Sequence, residues 1–412
     1  MTEIAAKQPK EIKVVDLSMR EHRSLWGDAW RRLISSNTAR IGLFIISFFI
    51  LTTTLAHFFW DYNPKTDLDY SLKLKAPNLV ATEEIASIHP FGTDKLGRDI
   101  FRRVIHGGWN SLRVGLVSVG ISLTIGGLLG LLAGFYESIA LGTSERIIVL
   151  MIAGLLLGAL PAWIANQFII ALLFAALGGL AARLESFQKG KPVRFLLIGL
   201  VGALLGALPS LLVSSSTALV NGILGMLIGL FLAVPVRGSI ISNVIMRVMD
   251  ITLAFPSYLL AIAIVAFLGP GLEKGMIAIG VVGIPQFARL VRSGVLSVVQ
   301  KEYILASQSV GEGHGRIIFR HILPNILSPV IVQTTMGLAN AILSAAALGF
   351  LGLGAIPPEP EWGAMLGDSY RFLTSGAWWA VLFPGLAIML SVLGFNLLGD
   401  GLRDALDPKM RV

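Results

Sequence analysis

Long uncharged runs alternate with shorter polar ones along almost the whole chain. Ile41–Trp60 is twenty residues without a charge, enough to cross about 30 Å of hydrocarbon as a helix. Further apolar blocks follow at Val114–Phe135, Ile147–Trp163, Ala165–Ala182, Phe195–Val213, Ala218–Val236, Val244–Leu268, Met276–Ala288, Ile326–Ala347 and Trp378–Leu398. With the first block they predict ten membrane helices, because the bilayer interior offers the backbone no partner outside its own segment. The block at Met276 is the weakest, since Arg289 and Arg292 follow it directly. The polar start, residues 1–40, holds eight Lys/Arg and five acids and lacks the short apolar core of a cleavable signal.

Composition agrees with this pattern. Of 412 residues 54% are hydrophobic and 14% charged, well below the quarter usual in soluble domains. The absence of cysteine removes disulfides, thiolate metal sites and thiol nucleophiles together. The net charge of +8 acquires meaning from its distribution. With the N-terminus placed in the cytoplasm, the inner segments hold 23 Lys/Arg against 14 Asp/Glu and the outer ones 10 against 11. This is the positive-inside asymmetry, so the basic balance reads as membrane orientation and not as nucleic-acid binding. An even number of helices returns the C-terminus to the cytoplasm.

One stretch repeats. Arg146–Pro161 (RIIVLMIAGLLLGALP) and Arg194–Pro209 (RFLLIGLVGALLGALP) match at eight of sixteen positions, offset by 48, including Gly154/Gly202 and Gly158/Gly206. Each unit predicts one apolar hairpin. The small residues at i and i+4 suit close helix packing. No polar constellation lines these helices, so the pair reads first as a duplicated hairpin filling lipid-facing space and dispensable for activity.

Candidate chemistry is sparse. No stretch has the G-x-x-x-x-G-K-[ST] pattern that cradles phosphates, so the chain is expected not to hydrolyse ATP and to bind no cofactor itself. Gly349–Gly354 is glycine-rich without the following Lys-Ser/Thr and reads as a packed bend. The six histidines show no metal-ligand spacing, and no metal site or catalytic residue is expected. Asp250 is the one acid inside an apolar run, and Arg247 three residues earlier shares its helical face, predicting a structural ion pair. A proton-coupled transporter would be expected to carry more buried acids.

The inner loop 298–325 (VVQKEYILASQSVGEGHGRIIFRHILPN) predicts a short helix over Lys301–Val310. Gly311 can end it at positive φ, a second short helix can run from Gly315 to Ile322, and Pro324 suits the first turn of the next span. Such an elbow is either a docking surface or a plain connector. Here the sequence resembles the cytoplasmic coupling motif of ABC-importer permeases, in which Glu-Ala-Ala is followed by three residues, Gly, and later Leu-Pro. The matching positions are Leu305 (in place of the glutamate), Ala306, Ser307, Gly311, Leu323 and Pro324. GTDKLGRD at 92–99, MRVMD at 246–250 with AFP at 254–256, AALGFLGLG at 346–354, PPEPEWG at 357–363 and FNLLGDGLRDALDP at 395–408 resemble the C-type subunit of dipeptide/oligopeptide permeases.

That resemblance covers about Trp26–Glu137 and Asn243–Val412. It implies an all-α permease core of six helices, here with four more inserted. The expected organisation is a cytoplasmic segment 1–40, a permease N-terminal region 26–85, a transmembrane type-1 domain 109–400 and an inserted pair of hairpins at 138–242. The implied function is peptide import across the inner membrane by alternating access. The implied partners are a second permease subunit, two ATP-binding subunits that carry ATP and magnesium, and an extracytoplasmic solute-binding protein. A secondary transporter, a channel, a non-transporting scaffold, and ABC permeases for nickel or antimicrobial peptides are the alternatives.

Overall fold

The computed structural model describes residues 25–80, 87–139, 143–164, 166–187, 192–211, 215–233 and 238–407. The start of the polar N-terminal segment and Pro408 lie outside them. All regular structure among the described residues is helical, apart from two isolated bridges, Asn78–His89 and Thr93–Asp99.

Among the described residues every apolar block contains helix, and the ten blocks lie among sixteen α-helices. In chain order these are α1 (Leu25–Ser35), α2 (Asn37–Phe59), α3 (Ile100–Ile121), α4 (Gly127–Ser138), α5 (Thr143–Ile164), α6 (Ile169–Phe187), α7 (Pro192–Ser210), α8 (Ser215–Ala233), α9 (Gly238–Ala254), α10 (Ser257–Leu268), α11 (Leu272–Val299), α12 (Glu302–Ser309), α13 (His314–Arg316), α14 (Leu323–Phe350), α15 (Trp362–Ser369) and α16 (Trp379–Leu406). Among the described residues six helical stretches are long and apolar enough to cross a membrane, and three shorter apolar helices fall in the inserted region. The block at 244–268 is broken: α9 and α10 meet at 92°, because Pro256 has no N–H to give and pushes Phe255 out of the helical region. The block at Met276 does not end at its arginines; α11 runs on to Val299, with Arg289 and Arg292 paired to acids on neighbouring helices.

The chain divides into two compact units, residues 1–116 with 270–272 and 331–412, and residues 117–269 with 273–330. In the first, α2 packs along α16 through glycines. A Cβ on Gly42 would lie 2.6 Å from the Leu398 backbone nitrogen, and one on Gly401 2.4 Å from Ala39 Cβ. Trp362 is the centre of its core, with Ile100, Val104, Ile342 and Phe395 in the same cluster.

In the second unit a ladder of small residues joins α3–α4 to α11. Ser118 Oγ donates to Met276 O at 2.9 Å and Ser122 Oγ to Gly280 O at 2.7 Å. Gly126, Gly130 and Gly134 continue the same face, against the carbonyls of Ile284, Ala288 and Arg292. Each rung steps four residues on both helices, so the two run parallel in register. The step of four keeps one side of a helix facing its neighbour.

The inserted region is two hairpins, α5–α6 and α7–α8. Gly154 and Gly158 face Phe174 of α6, while Gly202 and Gly206 face Gly225 and Asn221 of α8. The first arms correspond at the offset of 48. The second arms correspond at 51: Gly178 lies on Leu150 O as Gly229 lies on Ile198 O. Asn221 is fully buried and donates to Pro161 O at 3.1 Å and Ser210 Oγ at 2.8 Å, which ties the two hairpins at their turn ends.

Candidate functional site

The elbow forms as a compact turn between α11 and the long helix that follows. α12 ends in two backbone bonds: Gly311 N–H donates to Gln308 O at 2.9 Å and Glu312 N–H to Ser307 O at 3.1 Å. That pair is a Schellman turn, which needs a left-handed residue at C′, just past the helix end, and Gly311 supplies it with φ +82°. No heavy atom lies within 4 Å of where a Cβ on Gly311 would be, so the demand for glycine comes from the backbone and not from crowding.

Beyond Gly311 the structure departs from two short elements in series. Helix runs without interruption from His314 to Phe350, with a π-helical stretch at Ile317–Ile322. Pro324 is therefore inside a continuous helix and not at its start. The wider π turn lies where Pro324 cannot donate to the preceding turn, and Asn325 Nδ2 bonds His321 O at 2.6 Å beside it.

Ile304, Ile317 and Ile322 are fully buried and anchor both arms of the elbow in one cluster with Phe135 and Val295, against which Leu323 packs. Leu305, Ala306, Gly311 and Pro324 are exposed, and Ser307 is half-buried. Tyr303, Leu305, Val310 and Phe319 add an exposed apolar surface, with Val310 88% accessible.

Glu312 holds this turn together, and sequence reasoning had passed over it. Its carboxylate accepts from Ser307 Oγ, lies 3.0 Å from His321 Nε2 and 3.7 Å from Arg316 Nε. One acid thus bridges α12 and the helix after it. The spacing Glu312–Arg316, one helical turn, was the available signal. The predicted partner of Asp250 is also replaced: Arg289 Nη2 of α11 donates to it at 2.7 Å, rather than Arg247 from its own helix. A residue three positions away shares a face, but a side chain from a packed helix reaches the carboxylate more directly.

Near the opposite end of the long helix three of the other short motifs meet, AALGFLGLG, PPEPEWG and GTDKLGRD. α14 closes in a second Schellman turn, with Gly352 at φ +78° and Leu353 N–H donating to Leu348 O at 2.9 Å. Glu361 caps α15, accepting from Gly363 and Ala364 N–H at 2.8 Å each. Its carboxylate fills the space above Gly349 and Gly354, so AALGFLGLG and PPEPEWG form one packed corner. Burial raises the Glu361 pKa against the two N–H donors that lower it. Trp362 Nε1 donates to Val104 O at 2.8 Å and Asn110 Nδ2 to Pro360 O at 2.8 Å, fixing the corner on α3. In GTDKLGRD, Asp94 accepts from Leu96 and Arg98 N–H and from Arg98 Nε at 2.6 Å, while Lys95 reaches Asp368 of α15 at 2.8 Å.

Residues 225–412 match the family model for the binding-protein-dependent transport system inner membrane component, and residues 24–77 match the N-terminal transmembrane domain of oligopeptide transport permease C. The dipeptide transport system permease protein DppC of Alkalihalophilus pseudofirmus is 39% identical over 388 residues, 94% of this chain and 91% of that protein. The glutathione transport system permease protein GsiD of Pectobacterium atrosepticum is 33% identical over 390 residues, 94% and 93% of the two chains. DppC of Escherichia coli K12 is 55% identical over 168 residues, 41% of this chain and 56% of its own length, which makes it about 300 residues long. This chain without 138–242 would be of similar length, 412 less 105 being 307. With an all-helical apolar framework, two matching family models and these relatives together, the chain belongs to the inner-membrane permeases of binding-protein-dependent ABC importers, as a C-type subunit of the peptide-importer family.

Proposed function

We propose that this chain crosses the inner membrane ten times, with both termini in the cytoplasm, and passes dipeptides or short oligopeptides inward by alternating access. The names of its relatives support the cargo class, and the partition of charge supports the orientation. The chain pairs with a second permease subunit. Two partner subunits bind and hydrolyse ATP with magnesium, and an external binding protein delivers the peptide. Residues 1–40 face the cytoplasm, 26–85 form the N-terminal region, 109–400 the transmembrane type-1 domain, and 138–242 the insertion.

The observation that carries this reading is the elbow. Leu305, Ala306, Ser307, Gly311, Leu323 and Pro324 belong to a turn whose two arms are anchored in one buried cluster and whose outer face is apolar. An apolar exposed face gives the ATPases something to grip. Gly311 and Glu312 fix the angle between α12 and the helix running to Phe350, so closure of the ATPases is passed to that helix. A ligand-driven change requires such a two-state element, biased by partner contacts.

The test is co-purification of the ATPase subunits with variants of this chain. Gly311→Val forces a β-branched residue to positive φ, at about 1–3 kcal/mol. Glu312→Ala removes the bridge to Ser307 and His321. Each 1.4 kcal/mol lost from docking is about tenfold in affinity, so both variants should lose ATPase subunits or hydrolyse ATP without uptake. Gly120→Val, at a helical glycine with open space around it, is the control. Normal docking and uptake in both elbow variants would remove the coupling assignment.

A further inference from the structure

The elbow is compliant by composition. Gly311, Gly313 and Gly315 fall within five residues, and a Cβ at any of them would meet nothing within 4 Å. Glu312 braces the turn from inside. A second brace comes from the inserted region, which sequence reasoning took for a passenger.

Glu145 lies in the first turn of α5, the first inserted helix. Its Oε1 is 2.8 Å from Nδ1 of His314, the first residue of the long helix after the elbow, across 169 residues of sequence. Both side chains are largely sheltered, with 29% and 25% of their surface accessible. On its other side the His314 ring meets Phe135 edge-on, centroids 5.2 Å apart, and Phe135 is fully buried near the end of α4. His314 is therefore held between the two helices that flank the entry into the insertion.

The root of the insertion is itself pinned to the helix that enters the elbow. Glu137 Oε2 accepts from Arg292 Nη2 of α11 at 2.5 Å and from Ser242 Oγ at 2.9 Å. A Cβ on Gly238 would lie 1.9 Å from Tyr136 O, so the outgoing and returning ends of the insertion are in direct backbone contact. The module thus meets the chain on both sides of the elbow, at Arg292 before it, through Ser242 and the adjoining Glu137, and at His314 after it.

We propose that Glu145 is a positioning residue of the coupling elbow: through His314 the inserted hairpins restrain the start of the long helix, so that ATPase closure drives that helix instead of dissipating in the open glycine turn. The proposal rests on the coupling reading given above. The insertion is then a stator. Four helices packed through glycines and held in lipid resist displacement, and Glu145 lends that resistance to the elbow.

The experiment uses the complete importer reconstituted in liposomes, reading uptake of a labelled dipeptide that the wild type transports, per ATP hydrolysed. Glu145→Ala and His314→Ala should each lower this ratio about three- to tenfold with ATPase co-purification unchanged. The loss in the double variant should fall well short of the product of the two single losses, because both remove the Glu145–His314 contact, although Glu145 also bonds Tyr136 and His314 also meets Phe135. Glu145→Gln, which still accepts from Nδ1–H, should keep most of the ratio. An unchanged ratio in Glu145→Ala, or losses that multiply in the double variant, would overturn the proposal. The chain has no cysteine, so Glu145→Cys/His314→Cys gives an independent reading. A short thiol cross-link should restore the ratio lost without it, and a bridged pair that stays uncoupled sinks the idea. Gly311→Val in the same assay separates the two levels. If it uncouples while Glu145→Ala does not, only the stator fails; if Gly311→Val is normal, the coupling reading itself fails.

Discussion

Glu361 keeps its carboxylate on two backbone N–H groups although only 1% of the residue is accessible, and burial holds its pKa above the ordinary carboxylate value. The sign of the consequence follows from linkage. A carboxyl whose pKa is higher folded than unfolded binds its proton more tightly in the folded state, so stability falls as pH rises from the unfolded pKa through the raised one. Glu361→Gln removes that titration. The melting temperature of the wild type minus that of Glu361→Gln, measured in detergent, should therefore grow as pH is lowered from 8 to 5, and a flat difference would contradict the assignment. At this scale the sequence is uneven in what it reveals. The left-handed glycine at 311 was legible because a helix that must stop needs a residue without Cβ, a purely local condition. Glu312 and Glu145 were not, since what they do depends on His321 nine residues on and His314 169 residues on. The ion pair of Asp250 was misassigned for the same reason: sequence offers the same-face neighbour, and the fold offers Arg289.

Elements were more legible than contacts, because an apolar run of about twenty residues leaves the backbone little choice but helix. Breaks were harder. Pro161, Pro209, Pro285, Pro329 and Pro384 all lie inside helices, whereas Pro256 ends one and turns the chain by 92°. Proline removes one donor in every case, and whether the chain also turns there is decided by the packing around it. The repeat was visible in its first arms and hidden in its second, where the offset changes to 51 and few identities remain. The packing it encodes is testable. A Cβ at Gly202 would sit 2.3 Å from Gly225 O, while Gly120 faces open space. Gly202→Val should destabilise the chain by about 1–3 kcal/mol, the cost of overpacking, and lower the melting temperature by about 2–4 °C per kcal/mol. Gly120→Val should leave it within about 1 °C, on the scale of surface substitutions. Equal melting temperatures for the two would show that the hairpin arms do not touch at their glycines.

For the whole molecule, a multi-pass inner-membrane protein, the decisive quantity is which loop faces which side. The insertion contributes four helices; under the proposed ten-helix topology all four cross, which would conserve sidedness where an odd number would put the elbow on the other face. Single cysteines in this naturally cysteine-free chain make that measurable. Ser309→Cys on the elbow should react with an impermeant maleimide only in inside-out vesicles, and Gln167→Cys and Ser375→Cys only in right-side-out ones. Reaction of Gln167→Cys from the same side as Ser309→Cys would refute the ten-helix topology. The uninterrupted helix from His314 to Phe350 sets the scale of any movement that links these two faces. Its 37 residues span about 55 Å at 1.5 Å each, and it has a left-handed glycine just beyond either end, Gly311 and Gly352. A rod of that length, braced at its near end by Glu312 and Glu145, is a lever. Tilting it by roughly 10° about the elbow carries the far tip through about 10 Å, comparable with the width of a helix, so under the proposed coupling a small stroke at the elbow would become a gate-sized displacement at the far end.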